Sequence, residues 1–304
     1  MKTFAPRYYN RFKCRADKCA HTCCAGWEID VDGVTLSKYN SVGGEMGERI
    51  KKSLTEGDGA LCFALNEDKC PFLNDSGLCD IITLLGEDYL SQVCADHPRF
   101  RNFLSDRIEV GVGLTCEEAC SLVLNSDDNF LVEIDDDGAV NEKNSEWEEW
   151  LLKKRNELLD IASSERKIED KCERILKSVG EKTASVSAEV WREIYLSLER
   201  MDESWTDVVA KIVPNGKIRD EKIYSRVLSY MIFRHILDAE NESDLRARTS
   251  FCVHATYFIS AVADILEKEG EKNADEEGAR LYSSEIEYSD DNLYSLIDLF
   301  ATEE

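Results

Sequence analysis

FKCRADKCAHTCCAGW, residues 12–27, decides how the chain is read, because Cys14, Cys19, Cys23 and Cys24 fall within eleven residues of one another. A single buried thiol packs as a small hydrophobe, whereas four clustered thiols are reactive toward oxidants and metals, so this density points to binding rather than packing. CPFLNDSGLCDIITLLGEDYLSQVC then supplies Cys70, Cys79 and Cys94, and LTCEEAC adds Cys116 and Cys120. Ten of the twelve cysteines therefore lie in the first 120 residues, and the chemistry is expected there.

Thiolates are the preferred ligands of zinc and of iron–sulfur clusters, and either needs about four of them converging on one point. The spacing C-x4-C-x3-C-C followed by C-x8-C-x14-C matches neither a zinc ribbon with paired C-x2-C nor the usual ferredoxin run. It calls for a metal without naming it, and buried reduced thiols are the alternative. Adjacent Cys23 and Cys24 point to opposite sides of extended backbone, which argues against both reaching one metal. A radical cluster loop of the form C-x3-C-x2-C is missing its last cysteine. Gly111 and Gly113 lack the third glycine of a nucleotide loop. His21 and His97 stand beside cysteines as candidate ligands or proton carriers, while His235 and His254 lie in apolar helical segments and read as core residues.

Composition narrows the partners. The 304 residues are 43% hydrophobic, enough for a substantial core, and carry a formal charge of −25. With no compensating basic stripe, nucleic acid and anionic membranes are excluded as expected partners, and a basic protein segment fits better. MKTFAPRYYNRF has no apolar run of the secretory kind, so a cytoplasmic location is expected, where thiols stay reduced and metal or redox chemistry is favoured over disulfides. The apolar stretch 251–266 is too short to span a bilayer.

The expected fold is mainly α, with a small irregular α+β cysteine-rich metal-binding module over residues 1–143 and a helical domain over 144–304. In the first part, AGWEIDVDGVTL alternates like a strand or hairpin with Asp32-Gly33 in its turn. Helix is expected over 46–54 and 81–93, and again from Cys116 behind a Thr115 cap. Alternation of Phe130, Val132 and Ile134, with Asp137-Gly138 as a turn, predicts a hairpin over 125–144. Helical periodicity then takes over behind a Ser145 cap. Two long apolar helices, over 222–239 and 243–269, are expected at the centre, and the last helix over 291–300.

Several of these stretches resemble the flagellin lysine N-methylases: FAPRYYNRFKCRADKCAHTCCAGWEIDVD, CPFLNDSGLCDIITLLGEDYLSQVCADHPRF and LTCEEAC, then YSRVLSYMIFRHILDAE and YSSEIEYSDDNLYSLID. The first half also resembles a wider group of zinc- or iron-chelating cysteine-cluster proteins. Glu117 stands where the family pattern has proline. The resemblance implies transfer of methyl groups from S-adenosylmethionine to lysine ε-amino groups of flagellin or another lysine-bearing protein, by an enzyme carrying an iron–sulfur cluster, of 4Fe-4S type, with zinc as a substitute. The implied cluster ligands are Cys14, Cys19, Cys23, Cys24, Cys70, Cys79, Cys94 and Cys116. Eight exceeds the need of one four-iron cluster, so either some are structural or a second metal is held. Cys62, Cys120, Cys172 and Cys252 fall outside the motif and read as ordinary buried thiols. In that setting Glu285, Glu287 and Asp290 are candidates to attract the lysine or take its proton. Arg99 and Arg234 are candidates for the carboxylate of S-adenosylmethionine, which a guanidinium binds bidentately. The alternative is a non-catalytic metal-binding or redox module built on the same cysteines.

Overall fold

The computed structural model describes residues 1–26, 29–57, 60–67, 69–127, 131–139, 142–182, 187–212 and 218–301. The chain forms two compact units, one of Lys13–Arg99 and one of Met1–Phe12 with Phe100–Glu304. The boundary expected at residue 143 is thus displaced. The reason is the first strand, β1 (Lys2–Pro6), which pairs with strands beyond residue 100 and draws the N-terminus into the larger unit.

The smaller unit holds helices α1 (Gly33–Asn40) and α2 (Gly44–Ser53), a two-stranded ladder of β2 (Leu54–Glu56) and β3 (Leu61–Phe63), and short helices α3 (Asp80–Leu85) and α4 (Gln92–Asp96). The turn expected at Asp32-Gly33 is instead a helix start. The Asp32 carboxylate accepts from the backbone N–H groups of Val34 and Thr35 at 3.0 and 2.9 Å, satisfying two of the donors every helix N-terminus leaves open. Its other oxygen accepts from Gln92 N at 3.0 Å, so one side chain fixes the entry of both α1 and α4. The single helix expected over 81–93 is broken in two at Gly86, whose φ of +100° lies in a region open to glycine. Buried apolar packing is modest: Ile29, Val31, Tyr39, Ile50, Phe63, Phe72 and Ile81 gather around Cys70. A unit of this size with so small a core is one that nature commonly staples with metal or disulfide.

The larger unit is mainly helical, as expected. Its sheet runs β4–β5–β1–β6, with β4 (Arg99–Phe103), β5 (Arg107–Val112) and β6 (Leu131–Asp136). β1 lies parallel to β5 and antiparallel to β6. The hairpin expected over 125–144 is therefore a single strand whose partner is the distant N-terminus; Phe130 lies outside the described residues. After β5 comes α5 (Glu117–Asn125), whose N-cap position is Cys116 rather than Thr115 and carries no side-chain cap bond. α6 (Glu146–Ser163) starts in the expected Ser145 cap, made reciprocal by Glu148. α7 (Ile168–Ser178), α8 (Ala188–Ser197) and α9 (Glu203–Ala210) follow. The two central helices are α10 (Glu221–His235) and α11 (Glu242–Lys268). α11 is long and apolar enough to cross a membrane by length and composition, and 67% of its most apolar window is buried inside the protein. α12 (Ala274–Tyr282) was not foreseen, because ADEEGARLY reads as charged and glycine-broken. Gly278 is there for a different reason: a Cβ would meet Ala263 of α11 at 3.0 Å, so the glycine lets the two helices approach. A π-turn over Ser283–Glu287 leads into α13 (Asp290–Ala301).

Sheet and helices of this unit are joined by a buried ion pair. Arg155 of α6 forks onto Glu109 of β5 at 2.7 and 3.0 Å, with side chains 1% and 0% exposed, and its guanidinium lies 5.5 Å from the Phe233 ring centre. Removing one partner strands the other charge in the core, a loss of about 3–5 kcal/mol in comparable sites. Glu109→Ala should therefore lower the urea midpoint sharply, whereas the joint change Glu109→Leu with Arg155→Met should recover most of it; equal losses would contradict the account.

Candidate functional site

Four of the eight expected ligand cysteines pack against the core of the smaller unit: Cys70 is buried, and Cys24, Cys79 and Cys94 lie on it half-buried. Local backbone structure fixes each one. Cys70 N donates to Cys24 O at 2.8 Å, joining the first cysteine stretch to the second. Cys79 bridges to Leu73 and stands at the start of α3, and Cys94 lies within α4, whose entry Asp32 holds.

The four thiols lie within reach of one another's charge. Burial pushes Cys70 up to about 12, and the charges of Cys24, Cys79 and Cys94 add to it. Burial likewise pushes Cys94 to about 11 and Cys79 upward. Cys24 moves the other way, to about 7, chiefly because the Cys23 thiol hydrogen-bonds to it. One thiol that ionises readily beside three that resist ionisation is a donor set that a cation would complete, since a bound metal displaces thiol protons. Among the described residues, no three Cys, His, Asp or Glu side chains stand close enough together to hold a metal ion. One polar atom bears on the same question: Tyr39 Oη is buried in this unit without a hydrogen-bond partner. An orphaned hydroxyl beside thiols fits a sulfur-ligated metal, whose sulfurs accept hydrogen bonds.

Of the other expected ligands, Cys23 bonds to Cys24 from the surface, and the rest lie off this core. Cys14 and Cys23 are exposed and Cys19 is half-exposed; Cys14 Sγ accepts from Ala16 N at 3.3 Å. Cys116 belongs to the larger unit, where it packs on that unit's core. Cys62, Cys120, Cys172 and Cys252 are buried thiols, as expected. His21 is exposed. His97 is held neutral, its imidazole lowered to about 4 by burial and then by the charge of Arg99.

In the larger unit, the three expected acids do not converge. Glu287 is fully buried and accepts from His235 Nε2 at 2.8 Å and from Tyr230 Oη at 3.1 Å, with Arg234 Nε 3.3 Å away. The Arg234 guanidinium sits between the Phe100 and Tyr288 rings, 5.0 and 5.1 Å from their centres. Gly113 makes room for Arg234 and the Tyr288 hydroxyl, and Gly111 for the Phe100 ring, so the Gly-x-Gly pair serves packing. Glu285 accepts instead from the backbone N–H groups of Met201 and Asp202, holding the approach to α9, and burial raises its carboxyl to about 7. Asp290 is exposed at the start of α13. Arg99, in the smaller unit, donates to Ala95 O at 3.1 Å. Arg234 has its charge already compensated by Glu287, so it does not offer a vacant site for a ligand carboxylate. His254 lies against Trp191, ring centres 3.9 Å apart and planes tilted by 33°, and is held neutral by burial. Sequence reading missed Tyr230 and His235 as partners of Glu287, although Tyr230 and Arg234 stand at the i, i+4 spacing that shares a helix face.

Burial alone would raise the Glu287 carboxyl, but the Arg234 charge and the His235 hydrogen bond outweigh it and hold it well below the usual range. A depressed carboxyl contributes stability above its unfolded titration range, and that contribution is lost as pH falls through the folded value. His235 is also lowered, chiefly by burial, so its protonation opposes the fold in the same direction. Glu287→Gln should therefore destabilise by about 3–5 kcal/mol near neutrality, with the deficit against wild type shrinking from about pH 5 towards pH 2. Urea unfolding across that range checks it, and a deficit independent of pH would contradict it.

No protein-family model matches the chain, and no solved structure does. Among curated proteins, the lysine-N-methylase of Salmonella typhimurium is 30% identical over 132 residues, covering 40% of this chain and 32% of its own length. The lysine-N-methylase of Salmonella choleraesuis is 29% identical over 132 residues with the same coverage. The flagellar biosynthetic protein FliU of Salmonella muenchen is 29% identical over 132 residues, 77% of its length. The matched part of the chain thus spans about a third of the two lysine-N-methylases. Over 132 residues, the chain is thus similar to two lysine-N-methylases and to a flagellar biosynthetic protein.

Proposed function

We propose that the protein is a protein-lysine N-methyltransferase, moving methyl groups from S-adenosylmethionine to lysine ε-amino groups, with an iron–sulfur cluster of 4Fe-4S type held by the smaller unit. The observation that carries the reading is the coincidence of similarity to lysine-N-methylases with four thiols gathered on one small core. Cys24, Cys70, Cys79 and Cys94 would hold the metal, and zinc would suit the same donors. The cluster would cross-link the four thiolates and so staple the unit.

The methyl donor supplies an electrophilic sulfonium methyl. A lysine attacks it only as the free amine, and at neutral pH a free lysine is mostly protonated. Glu285 has a carboxyl raised to about 7, suited to accepting a proton, but it is buried with both oxygens bonded to backbone. Glu287 is neutralised by Arg234. Asp290 is the exposed acid of the three and would draw the cationic lysine toward this end of the larger unit. Arg99 is proposed as a contact for the donor's carboxylate. The charge of −25 suits a lysine-bearing partner, and flagellin met before export, in the cytoplasm, is the proposed one.

The alternative of a non-catalytic metal or redox module is favoured by one observation: the thiols gather, whereas Arg234 and Glu287 neutralise each other where a donor site was expected. Calorimetric titration of anaerobically metal-loaded protein with S-adenosylmethionine separates the two, with binding expected and its absence favouring the module. For the metal itself, Cys24→Ser, Cys70→Ser, Cys79→Ser and Cys94→Ser should each lower iron and sulfide content. Cys14→Ser and Cys116→Ser should leave most of it, as should Cys172→Ser; loss confined to Cys14 and Cys116 would contradict the ligand set.

A further inference from the structure

β6 (Leu131–Asp136) closes one side of the four-stranded sheet: it pairs with β1, and among the described residues no strand lies along its other side. Successive residues of a strand turn their backbone N–H and C=O groups to alternate sides, so half of those on β6 face away from β1. Among the described residues, the backbone N–H groups of Leu131, Val132, Glu133 and Ile134 reach no partner outside the β1–β6 ladder. An open edge of this kind is a template for another strand, and proteins guard it most often with lysine. β6 carries acids instead: Glu133, Asp135 and Asp136 are exposed, while the opposite edge, β4, carries exposed Arg101. Acids on an edge repel the same strand of a second copy and attract a basic strand. The chain already contains one such meeting. Lys2 stands on the adjacent antiparallel strand, and its ammonium lies 2.7 Å from the Glu133 carboxylate.

We propose that β6 is a docking edge for an extended, lysine-bearing segment of a partner protein, which adds to the sheet as a further strand with its lysines over Glu133, Asp135 and Asp136. Main-chain hydrogen bonds hold an added strand whatever its sequence, and the side chains along the edge set its preference. The β1–β6 register steps over Ile134, so the ladder is regular along Leu131–Glu133 and the added strand pairs there first. A lysine paired with a carboxylate stays protonated, so the lysines at β6 anchor the segment and a different one reacts. The proposal rests on the lysine-methylating reading above for the partner's role, and it adds where an unfolded substrate segment is held. The binding itself needs neither metal nor methyl donor.

The probe is a short fluorescent peptide alternating lysine with valine, titrated into the full chain at low salt and read by anisotropy. It should bind, and bind more weakly as salt rises. Joint change of Glu133→Gln, Asp135→Asn and Asp136→Asn, all at exposed positions, should weaken it about tenfold. A peptide with glutamate in place of lysine should not bind. Two further lysine peptides, methylated on one or the other set of alternate backbone nitrogens, test the strand pairing: the set facing β6 should abolish binding and the other should spare it. Hydrogen exchange should slow within Leu131–Asp136 when the unmodified peptide binds. Equal binding by both methylated peptides, or unchanged exchange in β6, would leave charge attraction without strand addition and overturn the proposal. So would no binding of the lysine peptide, or equal binding of the glutamate one. Self-association of the free chain that protects the same amides would give the edge to a second copy and overturn it too. If the peptide docks on β6 while S-adenosylmethionine does not bind, the edge stands and the methyltransferase reading fails; if only S-adenosylmethionine binds, only the edge is lost.

Discussion

A buried thiolate must be paired with positive charge, and four cysteines on one small core raise that requirement in the smaller unit. Burial alone makes Cys70, Cys79 and Cys94 hold their protons, while Cys24 gives its own up near neutrality. Nothing apolar is gained by bringing four thiols together, because four leucines would fill such a core better. The backbone nevertheless binds Cys24 to Cys70 directly, and Asp32 ties the start of α4, which carries Cys94, to the start of α1, which carries Tyr39. On the proposed function, a soft cation would take the protons' place and supply the cross-link that a small core lacks.

The larger unit meets the same requirement by other means. Two of its buried charges are paired with opposite side chains, Arg155 with Glu109 and Arg234 with Glu287, the latter pair lined by His235, Tyr230 and two aromatic faces. Such pairs fix geometry more than they add stability, since desolvation cancels much of the Coulomb gain. The π-turn that aims Glu287 inward places Glu285 against the loop before α9. Acids two residues apart in sequence therefore have separate partners, and proximity in the sequence misled the expectation of one catalytic group.

What was legible follows from period and composition. The helices α6, α7, α10, α11 and α13 show the 3.6-residue stripe, and Ser145 with Glu148 announces a cap. The predominance of helix was readable for that reason. The Asp32-Gly33 pair was misread because turn and N-cap use the same residues, and only the tertiary bond to Gln92 distinguishes them here. The β1–β6 pairing was hidden because it joins residues more than a hundred apart, which local alternation does not encode. For the site, the cysteine density was visible, but dividing eight thiols into four on one core, three nearer the surface and one in another unit required the fold. Tyr39 carried no sequence signal, since an unsatisfied hydroxyl is a property of its surroundings.

The central claim is that Cys24, Cys70, Cys79 and Cys94 together ligate one metal centre. X-ray absorption at the metal edge of anaerobically prepared protein tests it most directly. The account predicts a first shell made of sulfur alone, at about 2.3 Å, with no light-atom component. A shell dominated by nitrogen or oxygen, or one that keeps its full sulfur count in Cys70→Ser, would contradict it.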